Sequence, residues 1–482
     1  MKKTYIIIIL IAIFSSAIGF SMVSGLRGTA DKLSTAETST EKKVISKEKA
    51  FNAESFTLEN GMRVVLIENH RTPIVSHMIW YDVGAADEDW GNSGIAHFFE
   101  HLMFKGTDTL APGEYSKTVR ALGGEDNAFT GQDYTAYFVN IAREELPTIM
   151  RMEADRMRNL NIPEEHFVSE KNVILEERAQ RTDTNPTARM METLRATLYP
   201  NHAYGVPIIG WREEIAALTY DEIMSFYKKW YAPNNAVLVV SGAITRAELE
   251  PLAKEYYGSI EAQPQAQSPD YKAPILPGHK KITYEDAQVQ QPRFIRLCRM
   301  PSYATDKKSA LALEIAANII DGGAATRLYQ ALVSEGRLAS SAHLSYSGFT
   351  AQESTASIAI TPREGVSIDD VTTAFDAVLM DYKYKAPSDD EIQAAKDRMV
   401  NDAIYARDSL QAPAYIFGQA LTTGLSIDDI EYWTYDIETT SNDDVRNAID
   451  HFLNTDKCVD GALLPVGGAP AANQNAEGAN HE

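Results

Sequence analysis

The sequence predicts an α+β protein made of two similar halves, each a sheet covered by helices. Three observations carry this. Strand-like and helix-like stretches recur in mixed order along the 482 residues. A stretch with several prolines and few apolar anchors, residues 262–279, reads as a linker between bodies of similar size, 51–261 and 280–466. Both bodies also close alike: helix 221–231 then strand 236–241 in the first, helix 442–453 then apolar stretch 459–466 in the second. A repeated ending of this kind suggests an internal duplication.

Residues 1–25 read as a bacterial-type secretory signal. Lys2 and Lys3 precede an apolar run from Tyr5 to Phe20, and small residues Ser21, Ser24 and Gly25 follow. The run is about one membrane thickness long, so an uncleaved anchor is the alternative. Either reading places the chain in the bacterial periplasm, free or tethered to the inner membrane. The segment is neither Arg-rich nor amphipathic, which excludes a mitochondrial transit peptide. No cysteine follows it for lipid attachment.

Residues 26–50 are polar and read as a tether. Residues 63–68 and 74–83 read as strands. Asn92 and Ser93 offer N-cap chemistry to a helix carrying His97 to His101. Residues 136–141 read as a strand, and 163–181 as a long helix with Val173, Ile174 and Leu175 as its apolar face. Residues 467–482, rich in Ala, Asn and Gly, read as a disordered tail.

Composition narrows the function. With 45 Lys and Arg against 67 Asp and Glu, the net charge is -22, which argues against nucleic acid and anionic lipid surfaces as partners. The two cysteines, Cys298 and Cys458, lie in strand-like apolar stretches. Export permits a disulfide, but spacing fixes no geometry, and two separate core thiols is the simpler reading. No cysteine-based metal site is available.

His97-Phe98-Phe99-Glu100-His101 is the most informative stretch. Histidines four apart share one helix face and can grip one zinc ion, with Glu100 near that face and able to take a proton from water. A zinc hydrolase needs a third protein ligand, expected to be a carboxylate on another element. Two stretches compete for it: one holds Glu144, Glu145 and Glu153, the other Glu170, Glu176 and Glu177. In the second, Glu170 and Glu177 are seven apart and share a face, while Glu176 points elsewhere. An isolated histidine pair would more simply be a surface feature.

Three blocks resemble the pitrilysin family of inverted-motif zinc peptidases, which includes insulin-degrading enzyme and mitochondrial processing peptidase. They are residues 97–107, the glycine block 123–130 (Gly-Gly-Glu-Asp-Asn-Ala-Phe-Thr) and residues 170–177. The resemblance runs from about residue 58 to 243 and more faintly through the second body. It implies two homologous halves forming one bowl of a clamshell peptidase. It also implies a single Zn2+ held by His97, His101 and Glu177, with Glu170 orienting a ligand histidine and Glu100 as the catalytic base. Asn127, Ala128 and Phe129 fall on the family's substrate-binding edge strand, where a peptide adds as a further strand. Phe104 and Phe129 match aromatic positions lining the pocket beyond the scissile bond. The simpler readings are core aromatics for Phe104 and Phe129, a turn residue for Asn127 and an exposed helix charge for Glu170. The block 199–205, with His202, also resembles the family and reads as structural.

The second body lacks what self-sufficient members carry after their glycine turn, an arginine and, seven residues on, a tyrosine. Laying the pattern on Leu332 and Leu338 puts Val333 and Ser340 at those places, and neither can do the same job. Arg337 and Tyr346 are nearby but out of register. The resemblance therefore implies the zinc-bearing subunit of a two-subunit enzyme, partnered by a homologous zinc-less chain with the Arg/Tyr pair. The expected activity is hydrolysis of unstructured peptides. The alternatives are a non-catalytic assembly subunit, a self-sufficient homodimeric peptidase, and a maturation protease for one peptide.

Overall fold

The structure is a computed structural model describing residues 46–269, 274 and 278–467. The expected signal or anchor, residues 26–45 of the tether, residues 270–273 and 275–277 of the linker and residues 468–482 of the tail lie outside the described residues. Among the described residues, no helix is long and apolar enough to cross a membrane.

Among the described residues, eleven strands form two sheets. The first holds β1 (Glu54–Thr57), β2 (Arg63–Glu68), β3 (Ile74–Tyr81), β4 (Glu125–Thr130), β5 (Thr135–Ala142) and β6 (Ala236–Gly242). Its order is β1-β2-β6-β3-β5-β4. The second holds β7 (Lys280–Asp286), β8 (Arg293–Met300), β9 (Ala339–Ser345), β10 (Ser354–Pro362) and β11 (Cys458–Pro465), in the order β7-β11-β8-β10-β9. Without β1 the two orders are the same. In each, the first and last strands of the half pair in parallel and every other pairing is antiparallel. The duplication suspected from the repeated ending is therefore a repeat of the whole sheet topology.

The sheets are buried on both faces. In β6 every residue is buried, as a central strand's apolar run requires. Alternation in β3 splits its side chains: Val75, Ile79 and Tyr81 face one core, Met78 and Trp80 the other. The first core lies under the half's own helices, among them α1 (Ile95–Leu102), α2 (Glu114–Ala121), α3 (Leu146–Arg158) and α4 (Glu164–Arg178).

The second face of each sheet is covered by a helix from the other half. α5 (Pro186–Leu198) packs on β11 and β8, and its counterpart Ala412–Thr422 packs on β3 and β6. A glycine makes each approach possible. A Cβ on Gly461 would stand 2.9 Å from Leu194 of α5, and one on Gly418 would stand 2.0 Å from the Trp80 indole. Polar contacts follow the same seam. Tyr199 donates to the Ser354 carbonyl (3.0 Å), and Tyr204 donates to Asp133 (2.6 Å) while accepting from the Gln352 N–H (3.1 Å). The His202 Nδ1 accepts from the Tyr204 N–H (3.0 Å), so the 199–205 block, read as structural, joins the halves.

Four expectations are corrected. Cys298 and Cys458 are bonded, not separate: they stand opposite each other on β8 and β11 with Cα atoms 4.1 Å apart. Strand pairing across 160 residues of sequence makes them neighbours, which spacing does not reveal. The long helix ends at Arg178 and continues as a π-helical turn, Ala179–Asp183. Its apolar face is not Val173 to Leu175: Val173 is 49% exposed and only Ile174 is buried, because successive residues point 100° apart. Neither Asn92 nor Ser93 caps α1. Gly94 does, at φ 87°, and the Glu88 carboxylate accepts from the N–H groups of Gly94 and Ala96 (both 2.9 Å).

Two outcomes are expected. Gly418→Leu forces the exchanged helix off Trp80 and costs about 1–3 kcal/mol, read from the urea midpoint. Burial pushes Asp133 up to about 6, above an aspartate's ordinary value. Its contribution is therefore complete below about pH 4 and lost as pH rises through 6. Asp133→Asn flattens that part of the stability profile in urea titrations at each pH.

Candidate metal centre

α1 is buried almost all round. Ile95, Ala96, Phe98, Phe99 and Leu102 enter the core, and Phe98 stacks on Phe167 of α4 at 5.3 Å. This leaves one stripe, His97, Glu100 and His101, facing α4 and β4. Its partners are set by spacing: Glu170 and Glu177 lie two turns apart on α4.

His101 Nδ1 stands 2.9 Å from Glu170 Oε1, which leaves its Nε2 facing Glu177 Oε2 at 3.3 Å. His97 Nε2 stands 3.8 Å from Glu177 Oε1. The three ligand groups lie within 4.8 Å of one another. Tetrahedral ligands at about 2.0–2.1 Å from a zinc ion stand roughly 3.3 Å apart, so a small inward movement of His97 completes the geometry. Two imidazoles and one carboxylate are a donor set suited to zinc. Among the described residues no other His, Cys, Asp or Glu group is so arranged.

The competing stretch is otherwise engaged. Glu153 is buried with Arg156 at 2.6 Å and accepts from the Tyr115 hydroxyl at 2.9 Å. Glu144 and Glu145 sit in the turn before α3. Glu176 accepts from Gln180 at 2.9 Å, away from the histidines. Glu170 is no exposed charge, being 5% exposed, and its second oxygen meets Lys105 Nζ at 2.5 Å.

Burial pushes His97 down to about 3, and His101 beside it adds to this, so His97 is a neutral donor. Burial also acts to lower His101, but Glu170 and Glu177 outweigh it and hold His101 up at about 9. Glu100 is raised by burial, against the opposing pull of His101 and Thr130. The Thr130 hydroxyl donates to Glu100 Oε2 at 2.6 Å.

Thr130 ends β4, which pairs with β5 on one side and is the last strand of its sheet. Asn127 and Ala128 are thus on an edge strand, and Asn127 is not a turn residue. The Ala128 N–H is bonded by Asn127 Oδ1 at 2.9 Å. Ala128 and Thr130 lie on the face of Glu100. The Phe129 ring lies on the other, among Trp80 (5.2 Å), Tyr415 (5.3 Å) and Tyr134 (6.1 Å). Of the two readings, a ring lining the pocket beyond the scissile bond or a core aromatic, the position matches the second: strand alternation turns the ring into the seam between the halves. Phe104 packs on Tyr115 at 6.0 Å and over the Arg156 guanidinium at 5.1 Å, half-buried on the Glu100 side of the sheet.

In the second half, Val333 is buried in a π-helical turn, Gln330–Ser334, and Ser340 is exposed on β9. The out-of-register Tyr346 gives its hydroxyl to the Pro301 carbonyl at 2.6 Å, and Arg337 is exposed in a left-handed turn at φ 50°.

Residues 63–211 match the insulinase family (peptidase family M16), and residues 217–399 match the peptidase M16 inactive domain. The chain belongs to the M16 family. It is similar to the M16 relative "Zinc protease PqqE" of Helicobacter pylori, 32% identical over 60% of this chain and 65% of the relative. It is similar too to an uncharacterized zinc protease of Mycobacterium leprae, 30% identical over 57% of this chain and 61% of the relative. The matches thus span under two thirds of those relatives. The fold resembles the crystal structure of a protease from Helicobacter pylori, with a TM-score of 0.80 at 26% identity over 86% of this chain and 99% of that one. It also resembles the first half of the periplasmic protease PqqL from Escherichia coli, with a TM-score of 0.73 at 18% identity over 86% and 92%. The described residues share the fold of these structures, two sheets and their helices.

Three site neighbours were not singled out by sequence reading: Thr130, Lys105 and Arg181. Lys105, four residues after His101, and Arg181, four after Glu177, were visible as spacing, but helix spacing alone does not distinguish a site contact from a surface pair, and Thr130 meets Glu100 only across 30 residues of sequence.

The geometry predicts one zinc per chain by equilibrium dialysis. His97→Ala, His101→Ala or Glu177→Ala abolishes it, Glu170→Ala weakens it about tenfold to a hundredfold, and Glu100→Gln retains it.

Proposed function

We propose that this chain is an exported zinc endopeptidase subunit that hydrolyses unstructured peptides. The observation that carries the reading is the convergence of His97, His101 and Glu177 beside Glu100, all next to the free edge of β4.

In this reading a peptide lies along β4 as an added strand and bonds the edge's backbone groups, which tolerates varied side chains. Asn127 then gives up the Ala128 N–H to the incoming strand. Zinc at the three ligands supplies Lewis-acid polarisation and makes water acidic enough to ionise near neutral pH. Glu100, fixed by Thr130 through one oxygen, takes the water's proton with the other and passes it to the leaving nitrogen. Glu170 holds His101 by Nδ1, so that Nε2 is the ligand atom. Phe104 offers an apolar wall on this side of the sheet.

Export is supported by the N-terminal sequence and by the Cys298–Cys458 bond, a feature of oxidising compartments. A zinc-less homologous partner is supported by Val333 and Ser340 where an arginine and a tyrosine are needed, and by the engagement of Tyr346 elsewhere. Losing such donors to developing charge costs about a hundred- to a thousandfold in rate.

The test is peptide hydrolysis by zinc-loaded residues 26–482, with Glu100→Gln as the blank. The expected outcome is weak Glu100-dependent cleavage alone, rising by about a hundredfold or more with the Arg/Tyr-bearing partner. Full activity of the isolated chain would instead mean a self-sufficient or homodimeric enzyme. No Glu100-dependent cleavage with the partner present would mean an assembly subunit.

A further inference from the structure

Arg181 has no role in the reading above. Arg181 lies in the π-helical turn that follows α4, and its guanidinium NH1 contacts Glu177 Oε1. A surface pair four residues apart would be of little consequence. This pair is different in two respects. The Glu177 side chain is only 13% exposed, and the oxygen Arg181 takes is not the one facing His101 Nε2 at 3.3 Å. Oε1 takes the arginine and lies 3.8 Å from His97 Nε2, which leaves Oε2 as the oxygen nearest a histidine nitrogen, 3.3 Å from His101 Nε2.

We infer that Arg181 is a positioning residue for the metal ligand Glu177, fixing it as a one-oxygen ligand. The inference rests on the reading of His97, His101 and Glu177 as the zinc ligands and adds a residue to it. Both carboxylates of α4 present an oxygen to His101 and carry a cation: Glu170 Oε1 meets Nδ1 with Lys105 on Oε2, and Glu177 Oε2 faces Nε2 with Arg181 on Oε1. Without its cation Glu177 is free to rotate away or to offer both oxygens. The π-helical turn has a purpose here. It carries a widened hydrogen bond, from the Thr184 N–H to the Ala179 carbonyl at 3.0 Å, while Arg178 turns inward to Glu192 and the Gly210 carbonyl. Arg178 and Arg181, three residues apart, thus serve the interior and the site respectively. π-Turns inside helices recur at functional sites.

The test is zinc affinity by chelator competition on the full chain, with no substrate or partner required. Arg181→Met is expected to weaken zinc about tenfold to a hundredfold. Arg181→Lys, whose ammonium cannot reproduce the planar contact, falls between. In the Glu177→Gln background Arg181→Met adds nothing. Cobalt in place of zinc gives a second readout. The visible band of the wild-type site loses intensity in Arg181→Met as the second carboxylate oxygen enters the coordination sphere. Unchanged or tighter zinc binding in Arg181→Met overturns the inference, as does an unchanged cobalt band. If Arg181→Met does not fold, Arg181→Lys decides by the same two measurements. A wild-type chain that takes up no zinc overturns the metal-site reading itself, which is a separate result.

Discussion

The buried guanidinium of Arg178 ties together the elements on which the site depends. It bonds both oxygens of Glu192 on α5 (2.8 and 3.0 Å) and the carbonyl of Gly210 (2.7 Å). Gly210 in turn lies against the start of α1, where a Cβ on it would stand 2.4 Å from the Ser93 carbonyl oxygen. Ser93 bonds Glu214 through its N–H and Trp211 through its hydroxyl. One side chain thus sets the end of α4, which carries Glu177, against the beginning of α1, which carries His97 and His101. A charge buried this deeply is costly unless paired and hydrogen-bonded, and Glu192 and the Gly210 carbonyl meet that need at the two terminal nitrogens, with Asp183 Oδ1 3.4 Å from Nε.

The same junction feeds the exchange of helices between the halves. α4 must stay with the first sheet to face α1, while α5 must cross to the second sheet and cover β11. The return crossing by Ala412–Thr422 closes a reciprocal clasp, with Gly461 and Gly418 as the points of closest approach. The half that carries His97, His101 and Glu177 is consequently not an independent unit with the second half appended. Its sheet lacks one cover without the other half, and Trp80, Phe129 and Tyr415 share one aromatic cluster across the seam.

This arrangement gives a structural meaning to a second half in which the described residues hold no candidate metal cluster. It covers the back of the first sheet, fixes α5, and through α5 and Arg178 fixes the candidate site. Its helix covers the face opposite Glu100, so the free edge of β4 and the stripe of α1 are left uncovered by it. Phe129 illustrates the division: its backbone belongs to the edge, its ring to the seam.

The sequence by itself determined the paired histidines with Glu100 beside them and the buried strands of the two halves, because these are local. Helix periodicity puts His97, Glu100 and His101 on one stripe, and apolar runs such as 236–241 mark buried strands whatever surrounds them. Residue spacing alone left the third ligand open between two acidic stretches; a resemblance in block 170–177 favoured Glu177, and the packing of α1 on α4 brings Glu177 to the histidines. Only the tertiary structure decided the pairing of Cys298 with Cys458, the side of the sheet taken by Phe129 and the crossing of α5. Each of these depends on which surfaces meet across long stretches of chain, and a pattern of residue types records a surface's polarity without recording its neighbour.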